Sequence, residues 1–475
     1  MTTREPSSNA QAPLVARPIY DIEETPPILT LLPLSLQHAL AMFGATVLVP
    51  LLTGLDVQAA LLSSGVGTLL FLAVTRGRLP NYLGSSFAFI GPIVTVAHAR
   101  GIGTALLGAL LSGVVYMLIA FVVARAGVGW LDRLLPPVVI GSIVAVIGLA
   151  LSGVAVGWAL TDPVSGEYGL GAVEVAFVTL AIVVAVSVFS RGFLSVIPVL
   201  TGILLGTAYA YLRHPEWFTT AIGGLPPAVE RIASARWWTP PGLFYAEHMH
   251  TGEVLRAMAT PENWLYALVI APVAFVTLAE HVGHLLVTGN VVGRNLMPQL
   301  PRSLFGDGLA VSVAALIGGP PSTTYGENIG VLAITRVFSR AVLAGAALLA
   351  IAFAFVEKIG AFLMSVPKPV LGGVTIVLFG IIAVQGLRMF VEYGIDVAEK
   401  RNMILIAVIL VAGIGGFKLE FHDVSLAHLL INLTVDNIAM ATFLGIALHA
   451  ILPGKASAYG TRGRNAAAAN EGGRS

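Results

Sequence analysis

Two glutamates and a histidine are the residues of this chain best suited to chemistry inside an apolar protein. Glu280 and His284 lie four positions apart, a spacing that places both side chains on one face of a helix. Glu327 follows a stretch rich in Gly, Ser, Thr and Pro at 318–326. Because carboxylates are costly at a bilayer centre and are usually paired or functional there, these three residues are the first candidates for a site.

The composition places these residues in a membrane protein. Of 475 residues, 56% are hydrophobic and 11% are charged, whereas roughly a quarter are charged in an ordinary soluble protein. The net charge of +1 leaves no basic surface for nucleic acid, and the lack of cysteine excludes disulfides and thiolate metal sites. A water-soluble enzyme and a nucleic-acid-binding protein are therefore excluded. No phosphate-binding loop, nucleophile elbow or dinucleotide fingerprint is present either, so we predict neither an enzyme nor a cofactor.

Fourteen apolar stretches approach the length of about 20 residues that a membrane-spanning helix needs. They are 30–52, 57–75, 82–98, 102–124, 136–160, 172–190, 193–212, 263–288, 303–318, 323–338, 340–357, 369–390, 402–417 and 435–452. The third and the tenth are the least helix-like, because they are short and rich in Gly, Ser, Thr and Pro. The sequence thus predicts an all-α polytopic membrane protein with fourteen transmembrane segments.

The distribution of Lys and Arg predicts that both termini are cytoplasmic, because short cytoplasmic loops carry an excess of these residues. The loops after even-numbered spans hold most of them. Segments 1–26 and 453–475 are polar or of low complexity and are expected to be disordered cytoplasmic tails. Segment 213–262 is expected to be an extracellular loop, either a structured cap or an interfacial linker, and we favour the linker.

An internal repeat relates the two halves of the chain. The pattern Pro-Val-x-x-Gly at Pro137 recurs at Pro369, and residues 84–88 parallel residues 322–326 as small, hydroxyl, hydroxyl, aromatic, small. A repeat of seven spans is odd, so its second copy must be inverted in the membrane. Inverted repeats of this kind place the substrate at the midplane, where broken segments from the two halves meet.

Simpler interpretations compete with a functional one. A Glu–His pair can serve as a polar clamp between helices, an alternative that the second carboxylate and the two broken segments weaken. His38 and His98 are more typical of packing or capping residues than of ligands, and His281 faces away from Glu280 and is interpreted as structural. A metal site is disfavoured, because the candidate ligands come from distant segments without a spacing motif.

A dry cavity with two carboxylates and open backbone N–H groups would suit a small planar ligand that alternates ring N–H with C=O. The carboxylates would accept the N–H groups, and the backbone would donate to the carbonyls. Phe87 and Tyr325 occupy matching positions in the two broken segments and could cover the face of such a ligand. Glu280 would take and release a proton, assisted by His284, which makes coupling to a proton gradient the natural hypothesis.

The stretch 327–336 resembles the signature of the nucleobase/ascorbate transporter family, an acidic or amide residue followed by N-x-G, four residues and T. The stretches 36–50, 82–89 and 279–284 are also similar to this family, and the resemblance covers about 27–452. The resemblance implies short antiparallel strands in spans 3 and 10. It also implies two domains and a homodimer packed through the second. The core domain would comprise 27–126 (spans 1–4) and 263–358 (spans 8–11), and the gate domain 127–212 (spans 5–7) and 359–452 (spans 12–14).

The resemblance also implies roles for individual residues. In similar proteins the acids matching Glu280 and Glu327 hold a pyrimidine, and main-chain amides matching Phe87 and Gly326 meet its carbonyls. The histidine matching His284 partners the first acid, and the residues matching Ala45 and Tyr325 line the pocket.

A Glu at the first signature position resembles the uracil carriers of the family, whereas Gln is typical of xanthine and urate relatives. The expected function is proton-coupled import of uracil across the cytoplasmic membrane. A xanthine or purine carrier of the same fold and an anion transporter remain as alternatives.

Overall fold

The computed structural model of the protein describes residues 18–127, 129–222, 224–239, 250–426, 429–435 and 437–453. The helices are α1 (Ile28–Thr53), α2 (Val57–Val74), α3 (Ile90–Arg100), α4 (Ile102–Ala126), α5 (Gly129–Leu134), α6 (Pro137–Ala150), α7 (Ser152–Leu160), α8 (Leu170–Phe189), α9 (Pro198–Arg213), α10 (Glu216–Thr219), α11 (Ala228–Ser234), α12 (His250–Met258), α13 (Pro261–Ala267), α14 (Val273–Val292), α15 (Leu300–Ile317), α16 (Gly326–Thr335), α17 (Arg340–Ala354), α18 (Glu357–Leu363), α19 (Lys368–Glu392), α20 (Lys400–Ile414) and α21 (Asn437–Ile451). The strands are β1 (Leu83–Ser85), β2 (Ser322–Thr324), β3 (Leu419–Leu426) and β4 (Leu429–Val435).

Within the described ranges, seven helical stretches are long and apolar enough to cross a membrane, or eight if α17 and α18, bent by 82°, form one span. The protein is therefore a mainly helical, multi-pass membrane protein. The remaining apolar stretches correspond to shorter or interrupted helices. The third, for example, contains β1, a 3₁₀ turn at Phe87–Phe89 and α3, and the eighth is divided between α13 and α14.

The helices pack in two groups. In the first, α15 lies against α4 and α2, and α17 lies against α2 and α1. In the second, α19 lies against α6, α7 and α8, and α20 lies against α6 and α21. Helix α14 contacts members of both groups, α4 and α6. A ligand held by α14 would therefore lie near the boundary between the two groups.

Glycines allow the closest helix crossings in each group. A Cβ added to Gly113 of α4 would lie 2.6 Å from the Gly308 carbonyl oxygen of α15. A Cβ added to Gly141 of α6 would lie 2.7 Å from the Gly386 carbonyl oxygen of α19. Apolar helices gain little from hydrophobic burial in lipid, so such close backbone approach supplies much of the packing energy.

The strands β1 and β2 pair antiparallel, with Gly84 opposite Thr323. Hydroxyl groups of α2 satisfy the outer edge of β1, because Ser64 Oγ donates to the Leu83 carbonyl at 2.6 Å and Thr68 Oγ1 accepts from the Leu83 N–H at 3.0 Å. Non-helical backbone is tolerated at membrane depth only where protein surrounds it. The hydroxyls of the neighbouring helix α2 thus replace the hydrogen bonds that a helix would have given the Leu83 backbone.

Residues 18–26 are part of the fold, so the expectation that 1–26 forms a disordered tail is wrong for this part. Tyr20 forms a parallel bridge with Val337, and Ile22 is fully buried. The Phe338 N–H donates to the Tyr20 carbonyl at 2.8 Å. Arg294, in the α14–α15 loop, forms an ion pair with Glu23 at 3.1 Å. The sequence signal was missed because one buried isoleucine and a few backbone bonds leave no periodic pattern. Residues 1–17 and 454–475 lie outside the described residues.

The segment 213–262 is folded where it is described, so the preferred interpretation as a linker is wrong. It forms α10, α11 and α12 and the start of α13. Trp217 is only 3% exposed, and its indole N–H donates to Asp162 at 3.1 Å. Thr239 Oγ1 donates to the Glu357 carboxylate at 2.8 Å. Burial of aromatic side chains anchors this segment to the end of the bundle.

Candidate functional site

Helix α14 carries the first predicted acid and its histidine on the face that meets β2. Glu280 lies beside Thr323, and its buried Oε2 has no hydrogen-bond partner among the residues that the structure describes. His284 Nδ1 lies 3.1 Å from Thr324 Oγ1. Glu280 and His284 thus face the same strand but are not hydrogen-bonded to each other. An unpartnered buried carboxylate oxygen marks a position where a ligand N–H can be accepted.

Helix α16 places the second acid at the end of β2. Tyr325 is its N-cap and provides no side-chain cap, and Glu327 lies in the first turn. The first N–H groups of a helix have no partner within the helix and carry a partial positive charge. In the described part of the chain, no backbone acceptor reaches the Gly326 N–H.

The 3₁₀ turn at Phe87–Phe89 mirrors this arrangement at the end of β1. The Ser86 N–H is satisfied by the Pro321 carbonyl at 2.8 Å, but none of the described backbone acceptors reaches the Phe87 N–H. Each strand of the pair therefore leads into a short helix whose first N–H group is open. Half-helices that begin near the middle of a membrane protein commonly direct these N–H groups at a substrate.

The structure brings these parts together. Helix α14 contacts β2, α16 and the Phe87–Phe89 turn. The carboxylates of Glu280 and Glu327 are close enough to interact electrostatically. The two carboxylates and the two open N–H groups thus lie on elements that α14 joins by direct contact.

Tyr325 and Ala45 are the two remaining predicted site residues, and they lie at the start of α16 and on α1. The Tyr325 hydroxyl donates to the Ser85 carbonyl at 2.9 Å and lies 3.2 Å from Thr46 Oγ1, which follows Ala45 on α1. Ala45 itself is 2% exposed. The Tyr325 ring is therefore fixed between α1 and β1 and positions the start of α16.

Gly84 of β1 is required by this packing. A Cβ at Gly84 would lie 2.4 Å from Tyr325 Cζ. We expect Gly84→Ala to lower the free energy of unfolding by about 1–3 kcal/mol, as overpacking of a core does, and to abolish transport. Thermal unfolding of the purified protein measures the first effect and uptake in vesicles the second. Gly157→Ala in α7 is the control, since no described atom lies within 4 Å of the added Cβ. Wild-type stability in Gly84→Ala would contradict the argument.

His38 has a structural role, as the sequence indicated. Asn328 of α16 donates from Nδ2 to the His38 carbonyl at 3.0 Å, and the same atom lies 3.1 Å from His38 Nδ1. Both residues are buried, whereas His98 is exposed. The asparagine of the family signature thus anchors α16 to α1, which holds Glu327 and Gly326 in place.

Sequence reasoning missed two residues of α19 that face the site. A Cβ on Gly326 would lie 2.6 Å from Gln385 Oε1, and the ring of Phe379 packs edge-on against Phe87 with centroids 5.6 Å apart. Gln385 is a polar residue inside an apolar stretch. A search that included amides as well as ionisable residues would have found it.

Sequence reasoning also missed Asp307 of α15. It is fully buried, and its Oδ2 lies 2.9 Å from Nδ1 of His281, a contact that lacks hydrogen-bond geometry. His281 Nε2 lies 2.6 Å from Ser303 Oγ. The signal was available, because an acid within the apolar stretch 303–318 satisfies the criterion that identified Glu280. Among the described residues, no group of three His, Asp or Glu side chains could hold a metal ion.

Comparison with known proteins places this geometry in a family. A family model described as "Permease family" matches residues 29–420. The uracil permease of Bacillus caldolyticus is 47% identical over 444 residues, which cover 93% of this chain and 96% of that protein. The uracil permease of Escherichia coli K12 is 42% identical over 441 residues, covering 92% and 94%.

A solved structure shares the fold. The transmembrane domain of the cyanobacterial bicarbonate transporter BicA aligns with a TM-score of 0.57 at 15% identity, covering 88% of this chain and 96% of that one. Identity this low concerns the fold alone. The family match and the high coverage of the relatives confirm the resemblance predicted from the signature. The chain belongs to the permease family, and it is a multi-pass membrane transporter and not an enzyme.

Proposed function

We propose that the protein imports uracil together with a proton across the cytoplasmic membrane. The observation that carries this proposal is the pairing of the carboxylates of Glu280 and Glu327 with the open N–H groups of Phe87 and Gly326. Uracil presents two ring N–H donors and two carbonyl acceptors, which match these groups in number and kind. The relatives named uracil permease support the same substrate.

Each site residue then has a role. Glu327 accepts a ring N–H, and the Phe87 and Gly326 amides donate to the carbonyls. Glu280 accepts the other N–H and binds the coupled proton, and His284 modulates it. Ala45 and Tyr325 complete the walls. A buried site strengthens each of these hydrogen bonds, since water does not compete.

The packing supports fourteen spans arranged as two inverted repeats of seven. A repeat of seven spans makes α2 equivalent to α15, α4 to α17, α8 to α20 and α9 to α21. The contact between α4 and α15 should then have a counterpart between α17 and α2, and the contact between α8 and α9 one between α20 and α21. All four contacts occur. The same equivalence converts the contact between α19 and α9 into one between α6 and α21, which also occurs. β1 and β2 would then be equivalent elements that meet at the symmetry axis.

Alternating access would follow from the two helix groups. The first group and α14, α16, β1 and β2 correspond to the core domain, and the group around α19 corresponds to the gate domain. Phe379 and Gln385 form the gate side of the site, so movement between the groups would open it. The proposal includes cytoplasmic termini and a homodimer packed through the gate domains, both of which rest on charge distribution and family resemblance.

Two alternative classes of substrate compete with uracil. A xanthine or purine carrier of the same fold would use the same groups for a larger ring. An anion transporter is suggested by the fold shared with the bicarbonate transporter. None of the site residues is Lys or Arg, however, and two carboxylates would repel an anion.

A binding panel on the purified protein tests the proposal. We expect uracil to bind, xanthine to compete weakly, and bicarbonate not to compete. In vesicles, labelled uracil should accumulate when the outside is acidic and should not accumulate without a pH difference. Preferred binding of xanthine would assign the purine alternative, and electrogenic bicarbonate flux without uracil binding would assign the anion alternative.

A further inference from the structure

A buried polar cluster lies next to the proposed site, where α14, α15 and α4 meet. We define the His281 cluster as His281, Asp307, Ser303 and Tyr116. Asp307 is 0% exposed, His281 is 1% exposed, and His281 contacts Asp307 through Nδ1 and Ser303 through Nε2. The imidazole thus connects a carboxylate at one nitrogen with a hydroxyl at the other.

In the described part of the chain, the other titratable groups near His281 are Tyr116 of α4 and, on its own helix, Glu280 and His284. Phe71 of α2 and Tyr116 of α4 stand edge-on to its ring at 6.2 and 6.3 Å between centroids. Asp307 is the titratable group of α15 in contact with it, and no Lys or Arg of the described chain pairs with this aspartate. The imidazole is therefore the titratable group in direct contact with this buried carboxylate.

A structural clamp should satisfy its own polar atoms, and the His281 cluster does not. Both carboxylate oxygens of Asp307 and the Tyr116 hydroxyl are buried and have no hydrogen-bond partner among the described residues. Such groups are rare in folded proteins and are costly. Ionisable residues kept inside membrane proteins under these conditions commonly belong to proton relays.

The cluster is continuous with the transport site. Glu280 precedes His281 in α14, which packs against α15 and α4, the helices that carry Asp307 and Tyr116, and the carboxylates of Glu280 and Asp307 are near enough to influence each other's charge. At the other end, Ser303 lies in the first turn of α15, which begins at Leu300. The excess of Lys and Arg in the short loops predicts that the preceding loop, with Arg294, is cytoplasmic. The polar groups therefore extend from the site toward the cytoplasm.

We propose that Asp307 and His281 relay the coupled proton between Glu280 and the cytoplasmic end of α15, an inference that rests on the proposed function. The O–H bond of the Glu280 carboxyl breaks, and the proton passes to the Asp307 carboxylate. Asp307 gives it to His281 Nδ1, and the proton on His281 Nε2 leaves along Ser303 to water. One proton enters the relay and one leaves it, and a return of the imidazole to its first tautomer resets it.

This assignment predicts that the Asp307→Asn variant keeps uracil binding and exchange but loses proton-driven accumulation. Because Asp307 does not contact the substrate, uracil binding and uracil counterflow at equal pH should persist, since a protonated, loaded carrier can reorient without releasing its proton. Accumulation driven by outside acid, and uracil-induced acidification of the vesicle lumen, should fall at least about 100-fold, the lower range for a positioned proton-transfer group. His281→Gln should behave in the same way.

The measurements use purified full-length protein in proteoliposomes with a trapped pH dye. Ser112→Ala is the matched control, because this buried α4 hydroxyl donates to the Ile270 carbonyl at 2.8 Å and lies outside the cluster; it should retain every activity. Full proton coupling in Asp307→Asn would overturn the relay. Loss of both uracil binding and counterflow in this variant would also overturn it, because the cluster would then serve packing. If Asp307→Asn does not reach the membrane, His281→Gln decides by the same criteria. Absence of uracil-induced acidification in the wild type would instead contradict the proposed function.

Discussion

Glu280→Gln should abolish proton-driven uracil uptake while leaving the protein folded in the membrane. The amide keeps the size of the side chain and one acceptor oxygen, but it cannot bind and release a proton. In one orientation the amide directs its N–H₂ group at a ring N–H of the substrate, a donor–donor contact, and in the other its uncharged oxygen accepts that N–H more weakly than a carboxylate does. Loss of a charge-assisted hydrogen bond in a buried site costs about 1.5–3 kcal/mol, which corresponds to a roughly 10- to 100-fold weaker affinity.

Uptake of labelled uracil in whole cells and binding to the purified variant measure the two effects separately. Glu174→Gln is a suitable control, because Glu174 lies in α8, far along the chain from the site, and bonds to Tyr209 and Arg213 at 2.5 and 3.1 Å. The control should transport normally. Wild-type accumulation by Glu280→Gln at an acidic outside pH would remove Glu280 from the coupling mechanism.

The sequence could identify the site because ionisable residues are so rare in apolar segments. Glu280 and Glu327 stood out for this reason, and the small, hydroxyl-bearing residues around 84 and 322 marked where the helices are interrupted. The backbone of these residues forms the strand pair, and the short helices that follow it begin with open N–H groups. One physical constraint, the cost of unpaired polar groups in a membrane, thus produces both the sequence pattern and the geometry.

Other features of the structure could not be predicted from the sequence. The hairpin of β3 and β4 between α20 and α21 was not predicted, because its apolar residues extend two neighbouring apolar stretches without a clear boundary. Gln385 and Phe379 reach the site only through the packing of α19, which no local pattern encodes. His284 contacts Thr324 and does not bond to Glu280, because this partner depends on how α14 is rotated against β2. Such outcomes depend on tertiary contacts between segments distant in the chain.

Glu327→Ala should eliminate measurable uracil binding, with or without a proton gradient. Glu327 lies in the first turn of α16, whose Gly326 N–H faces the same region. Removing the carboxylate leaves a substrate N–H unpaired in a dry site, a desolvation cost of about 1–3 kcal/mol beyond the lost bond. It also removes a favourable negative charge from a helix N-terminus, which lowers the free energy of unfolding by about 0.3–1 kcal/mol and is separate from the loss of uracil affinity.

Glu327→Gln should fall between the wild type and Glu327→Ala, because the amide oxygen still accepts one N–H while the charge is lost. Titration of the purified variants with uracil gives this order directly, and thermal unfolding without ligand shows whether α16 is intact. Glu392→Ala is the control, since Glu392 pairs with Arg388 at 2.6 Å near the end of α19. Equal uracil affinity for Glu327→Ala and the wild type would place the substrate elsewhere. Weak binding by Glu327→Ala and normal binding by Glu327→Gln would instead show that the oxygen acceptor, and not the charge, holds the ring.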